Sequence, residues 1–281
     1  MKLDFAAPTP LQYFETLVRR DEPRLLLEAA ISLGQDADPC LDIEDAQFQF
    51  ERMLRLLRDC VPWGANALQR LTILNQFFYE DLGYAGEHND FYNPDNSYLH
   101  RVMQKRRGIP ISLGVLWLEL AYGIGLQVSG VSFPGHFMVK VQLPEGIIVQ
   151  DPLTGLGQSM SQLSERLEPF HERWGLDEPE QPPLSMYLQP AGYRTILERM
   201  LRNLKSIHQQ NGNDDLALAV MDRLIVLAPN DWHEYRDRGW MHLERGEHKA
   251  ALKDLQTYVK HATQANDLDL IEEQLAQLRG S

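Results

Sequence analysis

Cysteine is scarce in this chain of 281 residues, which has only Cys40 and Cys60. The two form no CxxC spacing and have no accompanying histidine pattern, so nothing resembles a disulfide framework or a cysteine-ligated metal site. We therefore expect two free or buried thiols, and neither a metal nor another cofactor.

Long apolar runs are also missing. No stretch approaches the roughly 18 consecutive apolar residues of a membrane span. The N-terminus, MKLDFAAPTPLQYF, has acids and prolines where a signal peptide would have an apolar run. These absences predict a cytoplasmic protein with no membrane partner.

Positive charge is in deficit, with 27 Lys and Arg against 40 Asp and Glu and a net charge of -13. Residues 187–281 hold 14 acidic and 12 basic residues, which leaves 26 acidic and 15 basic residues before them. An acidic first part argues against a nucleic-acid partner, because phosphate binding needs clustered Lys and Arg. One basic cluster, interpreted as the charged face and end of a helix, is formed by Arg101, Lys105, Arg106 and Arg107.

Helical periodicity covers most of the first hundred residues, and the predicted helices lie at 9–34 in two pieces, 42–60, 65–82 and 98–106. The helix at 42–60 is amphipathic. The side chains expected on or near its apolar face are Phe48, Met53, Leu54, Leu56 and Leu57.

The stretch that follows organises the chain. Residues 111–124 are almost uniformly apolar, which is typical of a buried central helix. Strands are predicted at 127–133, 137–143 and 147–150. A helix followed by an antiparallel sheet gives an α+β domain.

A polar residue stands at each junction of this stretch. His136 precedes the second strand, Asp151 follows the third, and Ser112 lies at the helix start. If the strands are neighbours, the carboxylate fixes the imidazole tautomer and favours imidazolium. A serine near a helix N-terminus more commonly hydrogen-bonds backbone groups, and that alternative stays open for Ser112.

The C-terminal part is helical and repetitive. Gly212 and Gly246 are 34 residues apart, and so are Ala217 and Ala251. A 34-residue period with small residues at the helix contacts resembles tetratricopeptide repeats. We therefore expect a first domain at 1–171, a proline- and acid-rich linker at 172–187 and all-α repeats at 188–281.

The motif GIPISL, the PGHF segment and the DP-G element, followed by such repeats, resemble the SirB-type family of bacterial proteins. That resemblance implies a transglutaminase-like, papain-like core domain in which His136 and Asp151 occupy the catalytic histidine and aspartate positions. The nucleophile position, a cysteine in the transglutaminase-like fold, falls on Ser112 or, in a shifted register, on Pro110.

Two functions follow. The first is a non-enzymatic or regulatory protein that keeps a degenerate transglutaminase-like cleft and recruits a protein through its repeats. The second is a hydrolase or acyltransferase that uses Ser112, His136 and Asp151, with the serine activated by general-base help and an oxyanion hole.

The repeats predict a partner-binding groove, whose expected lining is Arg199, Arg202, Ser206, His233, Arg236 and Trp240. Arginines and a tryptophan suit an acidic peptide segment or a chain-terminal carboxylate. The alternative is that these arginines pair with acids of the first domain.

Overall fold

The computed structural model describes residues 7–20, 22–87, 90, 92–177, 180–262 and 265–280. The first six residues, on which the expected localisation partly rests, lie outside these ranges. The chain divides into two compact units, one of Arg20–Met200 and one that combines Met1–Arg19 with Leu201–Ser281.

In the unit of Arg20–Met200, helices come before and after a small sheet along the chain. Its first helices are α2 (Leu26–Ser32), α3 (Ile43–Cys60), α4 (Ala67–Asn75), which continues into a π-helical segment (Gln76–Asp81), and α5 (Leu99–Lys105). They are followed by α6 (Pro110–Gly123), the strands β3 (Gln127–Val131), β4 (Met138–Leu143) and β5 (Gly146–Gln150), and the helices α7 (Met160–Trp174) and α8 (Leu184–Tyr187). A parallel pair of two-residue strands, β1 (Ala85–Gly86) and β2 (Arg107–Gly108), lies before α6.

Helix α6 is the centre of this unit, as the sequence predicts. Pro110 occupies its first turn, where a missing N–H costs nothing. Trp117 and Leu120 are both fully buried. Gly125, with φ at +76°, ends the helical run and turns the chain into β3.

The three strands form an antiparallel sheet in the order β3-β4-β5. Val131 pairs with Met138, and Val139 pairs with Gln150. This register brings the start of β4 and the end of β5 to the same end of the sheet. The residues just outside these ends are His136 and Asp151, so the sheet itself brings the two together.

Helix α3 differs from the expectation in part of its apolar face. Leu57 is buried as expected, together with Ile43, Ala46 and Phe50. Phe48 and Leu56, however, are 56% and 50% exposed. The prediction that these two side chains belong to the core is wrong, because the buried stripe of α3 runs along a neighbouring face.

The second unit consists of helix α1 (Pro10–Arg19) and the C-terminal helices. After α9 (Tyr193–Gln210), in which the division between the units falls, come α10 (Asp214–Leu227), α11 (Trp232–Glu244), α12 (His248–His261) and α13 (Leu268–Gly280). Within this unit α1 packs on α10, and the Arg223 guanidinium lies 5.2 Å from the Phe14 ring centroid.

Residues 34 positions apart have equivalent roles in the two repeats, as the sequence period predicts. Gly212 and Gly246 both adopt the left-handed conformation between helices, with φ of +67° and +72°. Ala217 and Ala251 are both fully buried. At Gly239 a Cβ would lie 2.9 Å from the Leu255 side chain, so the close approach of α11 and α12 requires glycine.

No helix in the described ranges is both long and apolar enough to cross a membrane.

Candidate functional site

The pair expected at the sheet end is present. His136 Nε2 lies 2.8 Å from Asp151 Oδ1, and the two side chains are only 15% and 6% exposed. Gly135, with φ at +66°, makes the turn that presents His136 before β4. A hydrogen bond of this length between a shielded imidazole and a carboxylate fixes the ring orientation, which is the arrangement of a base and its orienting acid.

Asp151 has further partners that hold it as a carboxylate. The Leu153 backbone N–H donates to Oδ1 at 3.0 Å, and Arg166 Nη2 donates to Oδ2 at 3.3 Å. Burial alone would raise the pKa of Asp151, but the hydrogen bond and charge of His136, the Leu153 N–H and Arg166 outweigh it and lower the pKa below its usual value. Asp151 therefore stays ionised beside the imidazole.

Arg166 is a site residue that sequence reasoning missed. It lies on α7, whose start is fixed by Ser159, which caps the helix and accepts from the Gln162 N–H. No motif connects Arg166 to the site, because its approach to Asp151 depends on how α7 packs. The only sequence signal is its position on a helix immediately after the third strand.

Ser112 is placed differently from a nucleophile. It is completely buried, and its hydroxyl lies 2.6 Å from the Asn96 carbonyl oxygen and 3.1 Å from the Ile109 carbonyl oxygen. The Ile109 N–H donates to the same Oγ at 3.1 Å. The single hydroxyl proton is therefore committed to backbone, and no hydrogen bond joins Ser112 to His136, both of which are described residues.

The start of α6 nevertheless lies against the pair. A Cβ on Gly114 would come within 2.6 Å of the Phe137 ring and 3.4 Å of Pro152, the neighbours of His136 and Asp151 in sequence. Pro110 is one helical turn before Gly114 and only partly buried. Pro110 has no group that can act as a nucleophile, so neither of the two expected nucleophile positions presents one to His136.

A second set of hydrogen-bonded polar side chains holds the end of β5 next to Asp151. Asn75 Oδ1 accepts from Trp117 Nε1 at 3.0 Å and from Gln150 Nε2 at 3.1 Å, while Asn75 Nδ2 donates to Gln150 Oε1 at 2.9 Å. The residue before Asp151 is thus tied to α4 and α6. This arrangement makes the position of Asp151 rigid, since each buried polar atom in the set has a partner.

Comparison with known proteins bears directly on this arrangement. The model of the transglutaminase-like superfamily matches residues 44–202, and a tetratricopeptide repeat model matches residues 204–276. A UPF0162 protein of Xylella fastidiosa is 35% identical over 260 residues, which cover 92% of this chain and 91% of that protein. The chain belongs to the transglutaminase-like superfamily, within the UPF0162 group.

Relatives in other bacteria are similar to this chain at lower identity. A UPF0162 protein of Vibrio cholerae is 28% identical over 89% of this chain and 91% of its own length, and one of Pseudomonas aeruginosa is 30% identical over 74% of each. The crystal structure of menin, described as revealing the binding site for Mixed Lineage Leukemia (MLL) protein, has a TM-score of 0.41 and 12% identity over 89% of this chain and 68% of that one. A likeness of that size carries no argument. The narrower SirB-type resemblance stays an expectation.

The repeats of this transglutaminase-like superfamily member contain a cavity of about 770 Å³ between α11, α12 and the segment before α13. Two of the expected groove residues, His233 and Arg236, line it. Trp232, which sequence reasoning missed, lines it too and stacks on His261 with ring centroids 4.1 Å apart. The sequence gives little indication that Trp232 and His261 are in contact, because 29 residues separate them.

The other expected groove residues lie elsewhere. Trp240 packs into the apolar core of α12 and α13. Arg199 belongs to the first unit, where it donates to Ser132 Oγ at 2.9 Å and to the Phe133 carbonyl at 2.8 Å. Arg202 pairs with Asp231 at 2.7 Å. Ser206 is an exposed residue of α9 that does not line the cavity.

Arg236 is matched by acids of its own unit. It lies 2.9 Å from Asp267 Oδ2 and 2.9 Å from Asp237 Oδ1. Burial alone would lower the pKa of Arg236, but the two carboxylates outweigh it and raise the pKa. The alternative in which acids of the first domain would pair with the groove arginines does not describe Arg236, since Asp237 and Asp267 belong to the repeat unit.

Proposed function

We propose that the protein is a non-enzymatic binding protein, in which the repeat unit holds a partner protein and the transglutaminase-like unit performs no acyl transfer. The observation that carries this choice is Ser112, whose buried hydroxyl is committed to the Asn96 carbonyl. A nucleophile must present a free lone pair to substrate and pass its proton to a base. Ser112 does neither in this arrangement.

The thiols supply no substitute. Cys40 and Cys60 are both free and exposed, one in the turn before α3 and the other at its last residue. Neither belongs to the segment around His136, which lies in the turn before β4. A histidine held by a carboxylate then serves recognition, since an imidazole and the neighbouring Arg166 can hydrogen-bond a polar group of a bound segment.

For the repeat unit we propose an acidic peptide segment as the ligand, bound in the 770 Å³ cavity. Trp232 and His261 offer a flat apolar wall, and Arg236 offers the forked donor that suits a carboxylate. Asp267 Oδ2 accepts from that guanidinium at 2.9 Å. Binding is therefore an exchange, in which a carboxylate of the partner replaces Asp267 at Arg236.

The test is binding of fluorescein-labelled acidic peptides to the full chain, measured by fluorescence anisotropy against the same peptides with Gln in place of Glu. Arg236→Gln should weaken binding by about tenfold or more, because a charge-assisted hydrogen bond is lost. Asp267→Asn should tighten binding severalfold, because it removes the internal competitor and keeps an acceptor for the Tyr258 hydroxyl, which donates at 2.7 Å.

Arg245→Gln is the matched control, since Arg245 ends the same helix, pairs with Asp215 at 2.8 Å and does not line the cavity. Its binding should stay within about twofold of the unchanged chain. If Asp267→Asn weakens binding while Arg236→Gln does not, the cavity takes a positive group and the acidic-segment proposal is wrong.

A hydrolase or acyltransferase is the second candidate, favoured by the 2.8 Å contact of His136 with Asp151. It would require Ser112 to leave its backbone partners. Covalent labelling of Ser112 by a serine-hydrolase reagent would favour this candidate over the first.

A further inference from the structure

Helix α3 carries an exposed surface that neither the candidate site nor the repeats use. Beside it is a cavity of about 350 Å³, lined by Gln49, Arg52, Met53, Leu56, Leu82, Tyr84, Met103 and Arg106. The exposed apolar side chains of Phe48 and Leu56 lie along this face, and each is four residues from Arg52. We call the surface formed by Phe48, Arg52, Leu56, Met103 and Arg106 the α3 surface.

The charge of the α3 surface is opposite to that of the chain. Among the described residues, no carboxylate lines the cavity. Arg52, Arg55 and Arg106 have no carboxylate within salt-bridge distance in the described part of the chain, although the chain carries 40 acids. Some arginines of the same unit do pair with a carboxylate, as Arg101 with Asp38 at 2.9 Å and Arg166 with Asp151 at 3.3 Å. The α3 surface therefore combines exposed apolar side chains with arginines that no carboxylate neutralises.

Arg106 supports the same conclusion through its backbone. It is the one non-glycine residue with positive φ, at +56°, among those the structure describes. It ends α5 at a position where glycine is the usual residue, and a side chain there costs about 1–2 kcal/mol. Its guanidinium turns back to donate to the Leu82 carbonyl at 2.7 Å, beside the cavity. Strain retained at a residue whose side chain borders a cavity points to use of that side chain.

The cavity also contains a polar group with a weak partner. Tyr84 is 4% exposed, and its hydroxyl contacts Met53 Sδ at 3.7 Å. Burial raises the pKa of Tyr84 to about 12, so the phenol stays neutral and keeps its proton to donate. A thioether is a poor acceptor, and an oxygen of a bound segment would be a better one.

We propose that the α3 surface is a docking site for an acidic, amphipathic helix of another protein. Apolar side chains of that helix fill the cavity between Met53, Leu56 and Met103. Its carboxylates meet Arg52 and Arg106. A helical segment suits a groove of this kind because residues at spacings of three, four and seven share one face. An anionic membrane is disfavoured, because a concave cavity of one or two side chains does not match a flat surface and the chain has a net charge of -13.

The test uses the full chain and a defined pair of peptide sets. One set contains helical peptides with Leu or Phe on one face and Glu on the other, and the second set has Lys in place of Glu. Binding is measured by fluorescence anisotropy at low and high salt. The acidic set should bind, more weakly at high salt, and the lysine set should not.

Three variants make the test specific. Arg52→Gln combined with Arg106→Gly should weaken binding by about tenfold or more while the melting temperature stays level or rises, because glycine relieves the strain at position 106. Arg58→Gln is the matched control, since Arg58 is on the same helix, donates to the Gly123 carbonyl at 2.9 Å and does not line the cavity. Arg236→Gln should leave this binding unchanged, which separates the α3 surface from the repeat cavity.

Several results would overturn the proposal. Equal binding of the two peptide sets would remove the charge argument, and loss of binding in Arg58→Gln alone would place the contact elsewhere. Absence of binding by any acidic peptide, or binding to vesicles of anionic phospholipid in place of the peptides, would also refute it.

Discussion

Ser112→Ala is the substitution that best tests the proposed role of the start of α6. The change removes the donor to the Asn96 carbonyl at 2.6 Å, in a place where Ser112 is fully buried. A buried hydrogen bond contributes about 1 kcal/mol, and a buried polar group left without a partner costs about 1–3 kcal/mol.

The structure decides between these magnitudes. The Ile109 N–H also donates to the Asn96 carbonyl at 3.1 Å, so both backbone groups keep a partner after the substitution. We therefore expect Ser112→Ala to lower the free energy of unfolding by about 1–2 kcal/mol and not more. For a domain of this size that lowers the melting temperature by about 2–8 °C.

The assay is urea denaturation followed by tryptophan fluorescence, with Trp117 buried on the same helix as the substituted residue. Ser164→Ala on α7 is the matched control, because Ser164 is an exposed helical serine and its replacement should change stability by less than about 0.5 kcal/mol. A Ser112→Ala chain as stable as the unchanged chain would mean that the hydroxyl is not held by backbone, and the structural role would be refuted.

Three further predictions concern the same unit. His136→Gln should raise the pKa of Asp151, which carboxyl NMR can follow. The pKa of Asp151 is depressed in the folded state, so its ionised carboxylate stabilises the fold at neutral pH, and this stabilisation is lost as the pH falls through that pKa. Acid unfolding of the variant should therefore begin at a higher pH. Burial raises the pKa of Glu119 to about 7, so ionisation of this carboxyl opposes folding. Glu119→Gln should therefore raise the free energy of unfolding by about 2–3 kcal/mol at pH 8, and this gain should shrink as the pH falls toward 4.5. A gain that does not depend on pH would contradict this. Gly114→Ala should cost about 1–3 kcal/mol in urea denaturation, because its Cβ would lie 2.6 Å from the Phe137 ring, and a neutral result would show that the helix is not packed there.

The sequence predicted the parts of the fold that hydrophobic pattern determines. The uniformly apolar 111–124 stretch is a buried helix, and the three strands fall within two residues of their expected ends. The pairing of His136 with Asp151 followed from the strands being neighbours. These features depend on local periodicity and on an antiparallel register, which sequence spacing specifies.

What the sequence could not predict depends on how elements pack. Arg166 reaches Asp151 because of the placement of α7, and Trp232 reaches His261 across two helices. Ser112 could be a nucleophile or a buried capping group by its position alone, and only the location of the Asn96 carbonyl distinguishes the two. Side-chain partners that come from distant segments leave no periodic trace in the chain.

The central claim, that the transglutaminase-like unit lacks a working nucleophile, is tested most directly by intact-mass spectrometry of the full chain after exposure to a fluorophosphonate and, separately, to an activated acyl ester. We predict no adduct on Ser112 and the same mass profile for the unchanged chain, Ser112→Ala and His136→Gln. An adduct mapped to Ser112 that disappears in both variants would contradict the account and establish the Ser112, His136 and Asp151 enzyme in its place.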